Sequence, residues 1–486
     1  MQAFPPLPQY SGYSLPSRFE LDIEDLEVEG TLPAALDGAF FRSAPDPQFP
    51  PKLGTDIYFN GDGTVTQFRF SQGRASLRHR YVRTPKFNAE RAAGKALFGA
   101  YRNPYTDDPT VAGISRGTAN TNVMFHGGQL YAYKEDSHPV AMDPLTLETR
   151  GEWDYGGLLK SKAFTAHAKI DPQTGDLIGF GYGAKGIFTR DVAYYVIGAD
   201  GQLKHEAWFQ VPYANLMHDF GVTRDYVVWP IVPMCQDEDR ARAGSSVFMW
   251  DASKDVYLAV LPRFGSPKDL RLFRAPNRFC SHVMNAFNEG TKVHFDVPVA
   301  KGNMFPFFPD VTGKPFDREA SASRLQRWTV DMGQPGESIA MRELGTMVGE
   351  FPRIDDRYAM ESYRHGYTCV VDPERPVATD KIGSITGMFI NCWGHTDLQT
   401  GKEDAYWAGP VSTLQEPCFV PARPDAPEGE GYLLGVCNRL LENRSDLLVL
   451  DAQRLADGPV ATLRLPIRLR NGLHGNWYSA AQLGWG

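Results

Sequence analysis

The sequence predicts an all-β protein. Turn signals recur along it, at NGDG (60–63), SQGR (71–74), HGGQ (126–129), PQTGD (172–176) and GADGQ (198–202). Short runs rich in β-branched and aromatic residues lie between them, which reads as many short antiparallel strands. Segments of 3.6-residue period are scarce, and only 86–98 and 317–325 are helical candidates.

In chain order, the clearest strand runs are TVTQFRF (64–70), SLRHRYV (76–82), QLYAYK (129–134), VAYYVI (192–197) and DYVVWPIV (225–232). MFPFFPDVTGKPF (304–316) is rich in Pro and Phe and too apolar for a flexible tether. No composition change marks a linker, so residues 1–486 are expected to form one domain. No WD or kelch repeat is present. Strands without βαβ alternation leave sandwiches, barrels and propellers. A chain of 486 residues is too long for one sandwich. A seven-bladed propeller would use roughly 60–70 residues per blade, long loops included.

Composition narrows the function. Apolar residues are 42 % and charged residues 22 % of the chain, as in an ordinary globular protein. Mean hydropathy is −0.35. The longest apolar stretch, Tyr226 to Met234, falls far short of the roughly twenty residues of a membrane-spanning helix. The first residues have neither a basic nor an apolar signal region. Net charge is −8 with no basic run, which argues against nucleic acid as a partner. The six cysteines, at 235, 280, 369, 392, 418 and 437, form no CxxC and are too sparse for a disulfide framework. Reduced buried thiols in a cytoplasmic protein are expected. A homodimer stays open at this stage.

Most of the eleven histidines lie among polar or turn residues. Four have another context: His167 in AFTAHAKIDP, His218 in NLMHDFGVT, His282 in FCSHVMNAFNEG and His474 in NGLHGNWY. Each is flanked by apolar or small residues, where a buried imidazole needs a partner. Their separations are 51, 64 and 192 residues, the last being three times 64. A repeat near 64 residues would bring equivalent strand positions to one axis. Four imidazoles there would suit Fe, Zn, Cu or Ni. Structural zinc usually recruits cysteine, and no Cys has matching spacing. Ligand histidines usually donate their second N–H to a carboxylate. Glu135 in YAYKEDSHP, Glu350 in VGEFPRID and Glu416 in LQEPCFVP, in apolar or Pro-rich contexts, are the candidates.

At these residues the chain resembles the carotenoid cleavage oxygenase family. The similarity runs through FNGDG (59–63), KEDSHPVAMDPLTLET (134–149), HAKIDPQTGDL (167–177), MHDFGVT (217–223), HVMNAFNEG (282–290), GEFPRID (349–355), EPCFVP (416–421) and the stretch 447–477. The resemblance implies a seven-bladed β-propeller with a cap of loops and short helices over the metal-bearing face. It implies one Fe(II) per chain, bound by His167, His218, His282 and His474, with O2 as co-substrate. It implies that Glu135, Glu350 and Glu416 hold three of those histidines. The likeness is strongest to the branch of bacterial stilbene cleavage enzymes, through GAYRNPYTDDP (99–109), RGTANTNVMFHGGQLYAYKEDS (116–137) and QVPYANLMHD (210–219). There, residues matching Phe59, Tyr101 and Lys134 line the substrate site, and Thr121 matches a residue near the open iron position. Ser281 stands before His282 where a relative has Gly, a local difference that bears on fine substrate preference and not on the iron site.

The chemistry of those residues agrees. An alkene conjugated to a phenol gives up electrons more readily once the phenol loses its proton. A free phenol has a pKa near 10, and a nearby ammonium lowers it. Lys134 and Tyr101 are therefore expected to clamp a 4-hydroxyl group while both oxygens add across the double bond, giving two aldehydes. The expected substrate is a phenolic stilbene of the lignin-derived kind. The alternative is an apocarotenoid, a polyene cleaved at the same iron site. Phe305, with Phe307 and Phe308, is a candidate wall for a planar substrate. One tension remains: in a strict strand, Lys134 and Glu135 would point to opposite sides, unless a bulge or strand end falls there.

Overall fold

The computed structural model describes residues 3–382 and 390–485. The chain divides into two compact units, Met1–Trp153 with Tyr367–His395 and Glu403–Gly486, and Asp154–Gly366 with Thr396–Lys402. Strands dominate both, and among the described residues the longest helix, Pro85–Ala93, has nine residues. No helix among them is long and apolar enough to cross a membrane.

In the first unit a five-stranded antiparallel sheet runs in the order Leu21–Ile23, Arg74–Tyr81, Gly63–Ser71, Gly38–Pro45, Gly475–Ser479. Ser71 pairs with Arg74 across a two-residue loop. Gln72 and Gly73 take φ of 52° and 73°, the positive values such a hairpin loop requires. Gly38–Pro45 is buried along its whole length. Its side chains alternate between two cores. Phe40 packs with Phe68, Leu77, Val436 and Leu463, whereas Ala39 and Phe41 pack with Val123, Ala132 and Val140. Val436 and Leu463 belong to a six-stranded sheet built on Gly431–Arg439 and Arg444–Asp451, and Val123, Ala132 and Val140 to the four-stranded sheet that opens with Asn122–His126 and Gln129–Tyr133. Each buried Phe contributes about 1.5–3 kcal/mol. This sandwiching sets the level of Gly475–Ser479, in which Gly475 pairs with Arg42, and so sets the place of His474.

The second unit holds two four-stranded antiparallel sheets. One is Lys169–Ile170, Leu177–Tyr182, Asp191–Ile197, Leu203–Gln210, and the other is Gly221–Val222, Tyr226–Ile231, Val256–Pro262, Arg271–Ala275. In a further sheet Phe279–Cys280 and Asn285–Glu289 both pair with Lys292–Ala300, which continues to Arg324–Asp331 and Ala340–Arg353. His167 and His218 stand just before the short first strands of their sheets, and His282 lies between Phe279–Cys280 and Asn285–Glu289. In the first unit His474 immediately precedes Gly475–Ser479. Gly221 keeps its strand close to the next layer, because a Cβ there would lie 2.7 Å from the Ala286 side chain and 2.9 Å from the Phe295 ring.

The strand runs expected from sequence all form. Both helical expectations change. The helix expected over 86–98 is Pro85–Ala93: Thr84 accepts from the Phe87 N–H, and Gly94, at φ +67°, ends it. Over 317–325 there is no helix. The Asp317 carboxylate accepts from the Glu319 and Ala320 N–H groups at 3.0 Å each and closes a local turn instead. Leu325 then enters a strand and packs with Met284 and Phe287. All six cysteines are free thiols.

Candidate metal centre

In the second unit three of the four singled-out imidazoles converge. His167 Nε2 and His218 Nε2 are 3.0 Å apart, and so are His218 Nε2 and His282 Nε2. Metal–imidazole bonds of about 2.1 Å at right angles place neighbouring nitrogens ~3 Å apart, so these three fit adjacent positions around one ion. The nearest thiol in sequence, Cys280, is buried, and burial, and then the Glu350 carboxylate, push its pKa far up. The donors that converge are imidazole nitrogens.

Glu350 is buried and accepts from His282 Nδ1–H, from the Phe351 N–H and, at 3.3 Å, from the His282 N–H. Burial by itself would raise its pKa. The His282 ring and the backbone donors outweigh that and hold the carboxyl below its ordinary value. A charged acceptor at Nδ1 fixes the proton there and leaves Nε2 for a metal. Phe351 stacks on the His282 ring at 4.8 Å. It does so at φ +54°, a conformation that costs a non-glycine residue about 1–3 kcal/mol and is held only by its surroundings.

The first unit repeats the device at His474. Its Nδ1–H donates to Glu416 Oε1 at 2.9 Å, and the Gly475 N–H donates to Glu416 Oε2 at 3.0 Å. Its backbone is pinned on both sides: the His474 N–H donates to Thr121 O at 3.1 Å, and the Ser43 N–H donates to His474 O at 2.8 Å. Thr121 is thus tied to the ligand segment through its carbonyl, while its hydroxyl donates to Asn120 Oδ1 at 3.1 Å.

Also in the first unit, Phe59, Tyr101 and Lys134 come together. Lys134 Nζ lies 3.4 Å from Tyr101 Oη and 3.5 Å from Phe59 O, and 4.9 Å above the Tyr101 ring centroid. Asn120 Nδ2 donates to Phe59 O at 2.9 Å and to Gly61 O at 2.7 Å, which fixes the loop that presents Phe59. The strand ends at Tyr133, so Lys134 and Glu135 lie in a turn, and both are buried. That strand end resolves the alternation problem. Arg102 lies 3.9 Å from Glu135 and 3.7 Å from Asp136. Burial lowers the Lys134 pKa, with Glu135 and Asp136 pulling the other way. Burial, and then Glu135, raise that of Tyr101.

Phe305, in the second unit, is half-buried in an aromatic cluster, stacked on Phe307 at 5.3 Å and edge-on to Phe279 at 5.5 Å. Sequence reasoning missed Asp219, a buried carboxylate beside the histidines of the second unit. Its only sequence signal was its place next to His218 in MHDFG.

The family model described as retinal pigment epithelial membrane protein, RPE65, matches residues 14–479. The chain belongs to this family, the carotenoid oxygenases, as the motifs implied. It is 52 % identical to lignostilbene-alpha,beta-dioxygenase isozyme III of Sphingomonas paucimobilis, over 99 % of each chain. It is 44 % identical to isoeugenol monooxygenase of Pseudomonas putida, over 97 % of this chain and 98 % of the other. The crystal structure of Pseudomonas brassicacearum lignostilbene dioxygenase is similar with a TM-score of 0.96 and 46 % identity, covering 99 % of this chain and 100 % of that one.

Proposed function

We propose that this chain is a non-haem iron dioxygenase that splits the central C=C bond of a 4-hydroxystilbene with O2, yielding two aromatic aldehydes. The observation that carries the reading is the buried side-chain nitrogen of Lys134, 3.4 Å from the Tyr101 hydroxyl. Full-length likeness to lignostilbene dioxygenases supports it. The proposed ligands are His167, His218, His282 and His474 around one ion, with Glu350 and Glu416 orienting two of them and Glu135 a third. The all-nitrogen donor set favours iron over structural zinc. The proposed architecture is one seven-bladed propeller over the whole chain, capped by loops and short helices on the metal-bearing face.

When bound, Fe(II) supplies the one-electron chemistry that lets O2 react with a closed-shell alkene. The chain's residues prepare the alkene. Lys134 and Tyr101 hold the substrate's 4-hydroxyl, and Phe59 lies against its ring. Burial lowers the Lys134 pKa, so more of it is free amine near neutral pH than of a surface lysine; the free amine takes the phenol proton and then stands as an ammonium beside the phenolate. Negative charge moves through the ring onto the double bond, which becomes the better electron donor. The balance is one C=C plus O2 to two C=O groups. Thr121 flanks the position where O2 enters, and Phe305 walls the apolar slot.

Product analysis under air tests this. A 4-hydroxystilbene should give two aldehydes, whereas its 4-methoxy analogue should bind and turn over slowly if at all. Equal turnover of the two would overturn phenol activation and favour the polyene alternative.

A further inference from the structure

We propose that Asp219 is the positioning residue that locks the three ligand-bearing segments of the second unit into one register and sets the tautomer of His167. The inference rests on the metal-centre reading above.

Asp219 is almost fully buried, at 2 % exposure. Its Oδ1 accepts from the Phe220 N–H at 2.7 Å and pairs with Lys169 Nζ at 2.7 Å. Its Oδ2 accepts from the Val283 N–H at 2.8 Å. Phe220 follows His218 by two residues, Lys169 follows His167 by two, and Val283 follows His282 directly. One carboxylate therefore touches all three segments, each within two residues of its histidine. Buried charges persist only when paired and hydrogen-bonded, and this one has a cation and two amide donors.

The same Oδ2 lies 4.0 Å from His167 Nδ1. That is too far for a direct hydrogen bond. A fixed negative charge at that distance still favours the proton on Nδ1. The lone pair is then on Nε2, the atom that faces His218. Asp219 thus acts on His167 by charge where Glu350 acts on His282 by contact.

The test compares wild type, Asp219→Asn, Lys169→Met and the double variant. Each is purified, stripped with a chelator and titrated with Co(II) without oxygen. The readouts are affinity, the visible d–d spectrum, the rate of Fe(II) release to a chelator, and Tm of the apo-protein. Asp219→Asn removes the charge and turns an amide donor toward Lys169 or the Val283 N–H. Faster release, about 10–100-fold, and an altered Co(II) spectrum are expected. The double variant removes the unpaired lysine as well, so it should recover apo Tm without recovering metal retention. A purely structural role would recover both, and that result overturns the proposal. So does a folded Asp219→Asn protein with wild-type release and spectrum. If Asp219→Asn does not fold, Lys169→Met decides: a several-fold faster release supports the proposal, and wild-type release overturns it. Failure of wild type itself to bind metal would count against the metal-centre reading instead.

Discussion

Around His282, Glu350 accepts from the ring N–H and from two backbone amides. Around Lys134 the contacts are long, 3.4 Å to Tyr101 Oη and 3.5 Å to Phe59 O, beyond the usual 2.7–3.2 Å of N–H···O bonds. The metal region is organised before anything binds. The lysine pocket is loosely filled: its nitrogen is buried, and the groups beside it are a neutral hydroxyl and a carbonyl. A phenolate oxygen would be a stronger acceptor than either. A metal ion needs rigid neutral imidazoles, whereas a substrate must enter and leave, and the looser contacts of the lysine pocket suit that task.

The largest expected effect lies on the rigid side. Replacing His167, His218, His282 or His474 by Ala should abolish nearly all iron retention and turnover, as read by elemental analysis and aldehyde yield. A variant with full iron content would break the assignment of that ligand. On the loose side, Lys134→Met removes the charge and keeps most of the apolar stem. A lost hydrogen bond to a charged group is worth about 1.5–3 kcal/mol, or roughly tenfold to 150-fold in kcat/KM. Iron content should be unchanged, which separates the two regions. The pH profile sharpens this. The productive state needs one proton shared between lysine and phenol, so kcat/KM should rise with pH through the lower of their two pKa values and fall above the higher. Because the Lys134 pKa is lowered by burial, the acid limb should lie below the ordinary lysine value, and in Lys134→Met it should move up to the pKa of the phenol itself, near 10.

Glu350→Gln and Glu416→Gln keep size but put an amide where three donors and two donors, respectively, now point. Iron affinity should fall about 10–100-fold, with turnover at saturating iron less affected. Wild-type affinity in both would show that the imidazoles are oriented by packing alone. The smallest effect is expected for Tyr101→Phe. It keeps the ring against Phe59 and removes one hydroxyl, worth about 0.5–1.5 kcal/mol, or a few-fold in kcat/KM. A loss as large as that of Lys134→Met would make Tyr101 the principal phenol ligand.

The β class and the turn positions were legible because they rest on local signals, period-two runs and Gly-centred turns; the four histidines were singled out by the family motifs around them, since their context and spacing alone were only suggestive. The helix expected over 317–325 failed because a side-chain turn at Asp317 competes locally and Leu325 is drawn into a distant core. The Glu–His pairing could not be read. Glu350 lies 68 residues from His282 and Glu416 lies 58 from His474, and sequence separation carries no information on which carboxylate meets which ring.

By itself, the sequence determined which chemical groups are available: neutral nitrogen donors, carboxylates in apolar contexts, and a lysine beside aromatic residues. Only the tertiary structure decided their geometry. The strand end at Tyr133 lets Lys134 and Glu135 both be buried. The approach of three strand ends makes Asp219, on its face an ordinary acidic residue after a histidine, a shared acceptor for Lys169, Phe220 and Val283. The physical reason is that hydrogen bonds and charge pairs act over about 3–4 Å, and which groups come that close is set by the packing of strands far apart in the chain.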